Sequence, residues 1–177
     1  MPVNSRINKA GLSTVQKNQV RRAIKEKASI AVVEATITSA ATLGTTAKLV
    51  QAGGTGPVLL AFPVKAYKSY LVEAVIYVTH TDNNGSKVGL LGPTASVLKG
   101  TYVAGNAITG TITDYAAFTT LAAEAAGGGG TANYTKIKCV YRPSADGTLG
   151  IAWAESTSHA DTISLNVGTY LKVEEVA

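Results

Sequence analysis

The stretch SYLVEAVIYVTH (69–80), followed across Thr81-Asp82-Asn83-Asn84-Gly85 by SKVGLLG (86–92), decides the fold. Its Val, Ile and Tyr residues favour a pleated backbone, and Asn84-Gly85, like Asp146-Gly147 further on, is a dipeptide that supplies positive φ in hairpins. On such a strand Tyr70, Val72, Ala74, Ile76 and Val78 share one face, and Leu71, Val75 and Tyr77 share the other with Glu73 as its one charge. A strand of a two-layer sandwich normally buries one face and wets the other. Here the second face is apolar too. It must meet an inserted segment or, the preferred reading, a neighbouring subunit.

The same texture extends both ways along the chain. Further strands are expected at 29–38, 47–51, 57–64, 107–115, 134–142 and 148–156, and in the closing DTISLNV and TYLKVEEV. Turn chemistry separates them, at Gly92-Pro93, at Pro143 to Gly147 with its Asp146-Gly147 dipeptide, and at Ser158 to Asp161. Eight or more strands at this spacing imply an all-β, antiparallel jelly-roll sandwich. No strand alternates with a long helix, which argues against a parallel α/β fold. Ala116 to Ala126 could form about three turns of helix, ended by Gly127–Gly130. That glycine run lacks the Lys-Ser/Thr of a phosphate loop and reads as a surface loop.

Charge divides the chain. Residues 1–28 hold Arg6, Lys9, Lys17, Arg21, Arg22, Lys25 and Lys27 against Glu26, a balance of +6, and the rest balances at −1. A basic arm on a neutral body points to an acidic partner, nucleic acid or a negatively charged protein face. Ser13 and Gln16 have capping-box spacing, and no Gly or Pro interrupts 14–28, so a helix is expected over about 13–28. Its apolar stripe of Val20, Ala23, Ile24 and Ala28 is thin, and such a helix is marginal unless it docks. The expected organisation is a basic N-terminal arm with a linking strand over 1–45 and the jelly roll over 46–177.

The whole chain is 15% charged, where soluble domains average about a quarter, which fits a surface partly covered by other subunits. No apolar h-region follows the N-terminus, and the longest apolar run, Val58 to Val64, is far shorter than the roughly 20 residues of a membrane helix. The single cysteine, Cys139, sits in a strand pattern and reads as a buried thiol. Ser158, His159 and Asp161 are triad residue types, but neighbours in sequence cannot converge as a triad. No nucleophile elbow, zinc-protease or dinucleotide motif occurs. The expectation is a non-enzyme with no catalytic residue, metal or cofactor.

The segment LGIAWAESTSHADTISLNVGTYLKVEEV (149–176) carries an apolar strand with Ile151, Trp153 and Glu155, a Ser/Thr-rich turn, and Gly168-x-Tyr170-Leu171-x-Val173. It resembles the last strands of a module of tailed-phage virion proteins, and YLVEAVIYVTHTDNNGSKVGLLGP (70–93) is similar to that module's central hairpin. The resemblance covers roughly 57–177. It implies a jelly roll like those of tumour-necrosis-factor and complement globular heads, usually trimeric, in capsid decoration proteins, head fibres and tail appendages. On this reading the chain is a virion component, a decoration or cement protein whose partners are copies of itself and a major capsid or other virion protein, with no membrane. Arg6, Lys9, Lys17, Val20, Arg21, Arg22, Ile24 and Lys25 are the expected particle anchors. Tyr70, Val72, Ile76, Trp153 and Tyr170 are expected in the core or at the oligomer interface. Two alternatives stand beside it, a tail or collar receptor-binding module and a small-virus coat protein whose basic arm binds the genome.

Overall fold

The computed structural model describes residues 29–32, 34, 36–38, 45–51, 58–81, 86–106, 112–121, 125–126, 132–155 and 162–176. The expected arm helix over 13–28 lies outside the described residues, as do all eight expected anchors. The described chain forms β1 (Ser29–Val32), β2 (Ile37–Thr38), β3 (Lys48–Leu49), β4 (Ala61–Val64), β5 (Ser69–His80), β6 (Ser86–Leu91) and β7 (Ala95–Asn106). It continues through β8 (Ile112–Phe118), β9 (Ala125–Ala126), β10 (Ala132–Pro143), β11 (Gly147–Glu155), β12 (Ile163–Leu165) and β13 (Tyr170–Val176). It is all-β, and every pairing is antiparallel.

The strands form two sheets. In the wide sheet β1 and β2 lie end to end against β13 and β12, which both pair with β5; β10, β7 and β8 follow. In the narrow sheet β3 and β4 lie end to end on β11, followed by β6 and β9. The strands between 1 and 45 are therefore the edge of the wide sheet.

The sheets enclose one core. From the wide sheet come Tyr70, Val72, Ala74, Ile76, Val78, Ile137, Cys139, Tyr141, Leu171 and Val173, and from the narrow one Val64, Val88, Leu90, Leu149, Ile151 and Trp153. Strict alternation along β5 and β10 puts these residues inward. The nine residues of β11 are the exception: from Leu149 to Glu155 every one is buried, on both faces of the strand.

Three expectations need correction. Ala116, Ala117 and Phe118 are strand, paired with Tyr102, Thr101 and Gly100, and Ala125–Ala126 pairs with Val88 and Lys87. Alanine's helix preference is a weak local bias, and the ladder partner overrides it. Ala95–Asn106, to which the sequence assigns no strand, is a full twelve-residue strand between β10 and β8. Gly100, Gly105, Ser96 and Lys99 dilute its β signal, and pairing on both sides supplies what local preference lacks. Finally, the strands flanking Asn84-Gly85 and Asp146-Gly147 do not form hairpins, because β5 and β6, like β10 and β11, belong to different sheets. Asp146 instead accepts hydrogen bonds from the Ala66 amide and the Lys65 ammonium, both 2.8 Å, tying the β10–β11 turn to the β4–β5 turn. Each of these groups perturbs the other: Asp146 is held below its usual carboxylate range, chiefly by the Lys65 hydrogen bond, and Lys65 is raised in turn. Both side chains are exposed, so this pair marks the corner more than it stabilises it.

Candidate functional site

The narrow sheet covers only the inner face of the wide one. Among the described residues the outer face stays open, and it gathers the residues that alternate away from the core. β1 contributes Ile30 and Val32, β13 Tyr170, Lys172 and Glu174, and β5 Leu71, Glu73, Val75 and Tyr77. β10 adds Tyr134, Lys136, Lys138 and Val140, and β7 adds Val97, Lys99, Thr101 and Val103. The ladder places Lys172, Glu73, Lys138 and Thr101 in one row across four strands.

Ten large hydrophobic side chains stand exposed among the described residues, and seven belong to this face: Ile30, Val32, Leu71, Tyr77, Val97, Val140 and, opposite Gly105 at the far edge, Ile112. Ile30 is 58% and Leu71 46% exposed. Exposed apolar side chains gathered on one sheet face mark a candidate interaction surface, here crossed by the row of Lys172, Glu73 and Lys138.

Charges rim the apolar floor. The Lys138 ammonium lies 3.8 Å from Glu73, whose other oxygen accepts the Tyr170 hydroxyl at 3.1 Å. Partial burial first, and the Glu73 carboxylate second, push the Tyr170 phenol above its ordinary pKa. Lys172 pairs with Glu174 at 3.1 Å. Lys99 and Lys136 have no ion pair among the described residues. Between β13 and β7 the face sinks into a depression of about 600 Å³, lined by Leu71, Glu73, Lys99, Lys138, Val140 and Lys172, among others. Apolar ground with a few convergent charges is what a binding seat requires.

Of the expected core or interface residues, Tyr70, Val72, Ile76 and Trp153 lie inside the sandwich, and Tyr170 lies on the open face. Leu71, Val75 and Tyr77 were legible as a second apolar face from β5 alone. The lysines of the face were not, although the alternation in YTKIKCVYR already sets Lys136 and Lys138 beside Val140. Their meeting with Lys99 and Lys172 depends on register.

The other polar concentration is at the core end where β5 gives way to β6. There Asn133 Nδ2 and His80 Nε2 are 2.9 Å apart, and buried Glu155 lies opposite Ser86. Among the described residues no three His, Cys, Asp or Glu side chains converge as metal ligands.

No family model matches this sequence, and no curated protein matches it. Among solved structures, the infectious bursal disease virus VP2 subviral particle is similar with 14% identity and a TM-score of 0.20. The match covers 86% of this chain and 42% of that one, so this chain spans less than half of its length. At that score the likeness carries no weight, and the two-sheet architecture stands on its own pairings.

Proposed function

We propose that this protein is a non-enzymatic structural component of a virus particle: a jelly-roll subunit that decorates or cements a capsid, assembles as a trimer and is anchored through residues 1–28. Strand order supports the jelly roll. Count β1/β2, β3/β4, β5, β6, β9, β10, β11 and β12/β13 as eight successive positions. The wide sheet then runs first, eighth, third, sixth, and the narrow sheet second, seventh, fourth, fifth. That is the order of two nested Greek keys. The β7–β8 hairpin is an insertion between the fourth and fifth positions, added outside the sixth.

The observation that carries the functional reading is the open face. Six strand positions wide and largely apolar, it is a surface built for neighbours rather than for turnover. The virion setting draws its support from the resemblance of 70–93 and 149–176 to phage virion modules, and the anchor from the +6 balance of residues 1–28. Sedimentation at micromolar concentration, alongside a density map of particles bearing the protein, tests it. The expected result is a mass of three times 18.1 kDa and density at the capsid surface. A stable monomer that never accompanies particles would overturn the reading.

A further inference from the structure

We propose that the depression on the open face is a docking seat for an acidic, amphipathic segment of a different virion protein. This rests on the reading above and names the partner for one of its surfaces. The floor is apolar, with Leu71 and Val140 side by side on β5 and β10. Three lysines from three strands surround it: Lys99, Lys138 and Lys172. The two carboxylates present are already engaged, Glu73 by Tyr170 and Lys138, and Glu174 by Lys172. With Lys136 counted, the face holds four ammonium groups against two carboxylates, and Lys99 and Lys136 are not ion-paired among the described residues. An incoming carboxylate therefore finds cations to meet while its apolar neighbours cover the floor.

Charge also decides against the other occupants. The chain's own residues 1–28 precede Ser29, which lies opposite Val173, but their +6 balance would set cation against cation. The described residues of a second copy offer little that is complementary. Among the acids whose side chains are described, Glu73 and Glu174 belong to the seat itself, Asp146 and Glu175 are paired with Lys65 and Lys68, Glu155 is buried, and Glu34 alone stands exposed without an ion pair. Nucleic acid would satisfy the lysines but leave Leu71, Val97 and Val140 without apolar contact. The fitting partner is anionic and apolar at once, the pattern of an amphipathic segment laid in a groove.

The test uses the full-length protein and a fluorescein-labelled peptide with Leu at i, i+3, i+4 and i+7 and Glu between. Two control probes are the same peptide with Lys for Glu, and an oligothymidylate. The Glu peptide is expected to bind saturably and to weaken at least about tenfold in Lys99→Glu with Lys138→Glu. Both lysines are exposed, and an unchanged thermal melt shows that the variant folds. Absence of saturable binding, equal binding by the variant, or tighter binding of oligothymidylate overturns the proposal. So does a wild-type dimer or trimer that the same two substitutions dissociate, since the seat is then taken by another copy. Particle co-sedimentation separates the two readings. If the protein accompanies particles without binding the Glu peptide, the seat fails alone; if it binds the peptide but never accompanies particles, the virion reading fails alone.

Discussion

Thr169 shows how one side chain sets a strand's course. Between Leu165, opposite Val78, and Tyr170, opposite Val75, the final strand carries four residues against two of β5. The excess loops out at Asn166–Thr169, where Gly168 adopts φ 90°, a conformation a Cβ would strain. The ladder does not lapse there. The fully buried Thr169 hydroxyl accepts from the Tyr77 amide at 2.9 Å and donates to the Tyr77 carbonyl at 3.3 Å, and the Asn166 amide also donates to that carbonyl at 2.9 Å. Thr169→Val keeps the shape and leaves a buried amide without its acceptor. It should cost about 1–3 kcal/mol, read from urea midpoints, while Thr169→Ser should cost much less. Gly100 is required for space instead of φ: a Cβ there would lie 2.5 Å from Cys139 Cβ and from the Phe118 ring. The bare backbone is what lets Phe118 lie across the strand.

At the scale of an element, β10 joins the parts of the wide sheet. It pairs with β5 over ten residues and with β7 from Asn133 to Pro143, shifting register only at Arg142/Pro143. Cys139 and Tyr141 face inward from it, and the Tyr141 hydroxyl donates to the Pro93 carbonyl at 2.6 Å. Burial lifts the Cys139 thiol from 9.0 to about 12, and burial with the neighbouring Cys139 and Tyr70 lifts the Tyr141 phenol from 10.0 to about 12. Both groups are thus held neutral in the folded protein, whereas unfolding lets them ionise at ordinary values. Their contribution is complete below about pH 9 and is lost as pH rises toward about 12. Urea midpoints should fall across that window. Cys139→Ala should move the onset up toward the ordinary tyrosine value. A flat profile from about pH 8 to pH 12 would contradict this account of β10.

For the whole molecule, the arm and the sandwich make separable predictions. Deleting residues 1–28 should leave a folded, soluble oligomer that no longer joins particles, because the described core is assembled from residues between Ala31 and Val173. If the arm docks on protein, its apolar stripe contributes through buried area, roughly 25 cal/mol per Å², with little dependence on salt. Val20→Asp with Ile24→Asp should then mimic the deletion in a particle-binding assay, and Arg21→Gln with Arg22→Gln should weaken attachment only in part. Genome binding would reverse that order. Affinity would follow charge and fall by orders of magnitude between low and high salt, since each phosphate contact releases a counterion.

The sequence alone determined the all-β class, the inward set of β5, the apolarity of its outer side and the placing of Trp153 and Tyr141 in strands, because period-two alternation is written residue by residue. It also determined that charge is concentrated before the sandwich begins. It could not place β7, whose glycines and lysine weaken any local signal, nor keep Ala116–Phe118 from reading as helix. Those segments take their form from partners distant along the chain. The candidate seat belongs to the same class. Lys99, Lys138 and Lys172 are ordinary surface lysines in three separate strands, and only the register of β7, β10, β5 and β13 brings them around Leu71 and Val140. Alternation is a local property of backbone geometry, but which strands lie side by side is decided by burying one common core, and that is settled only when the whole chain packs.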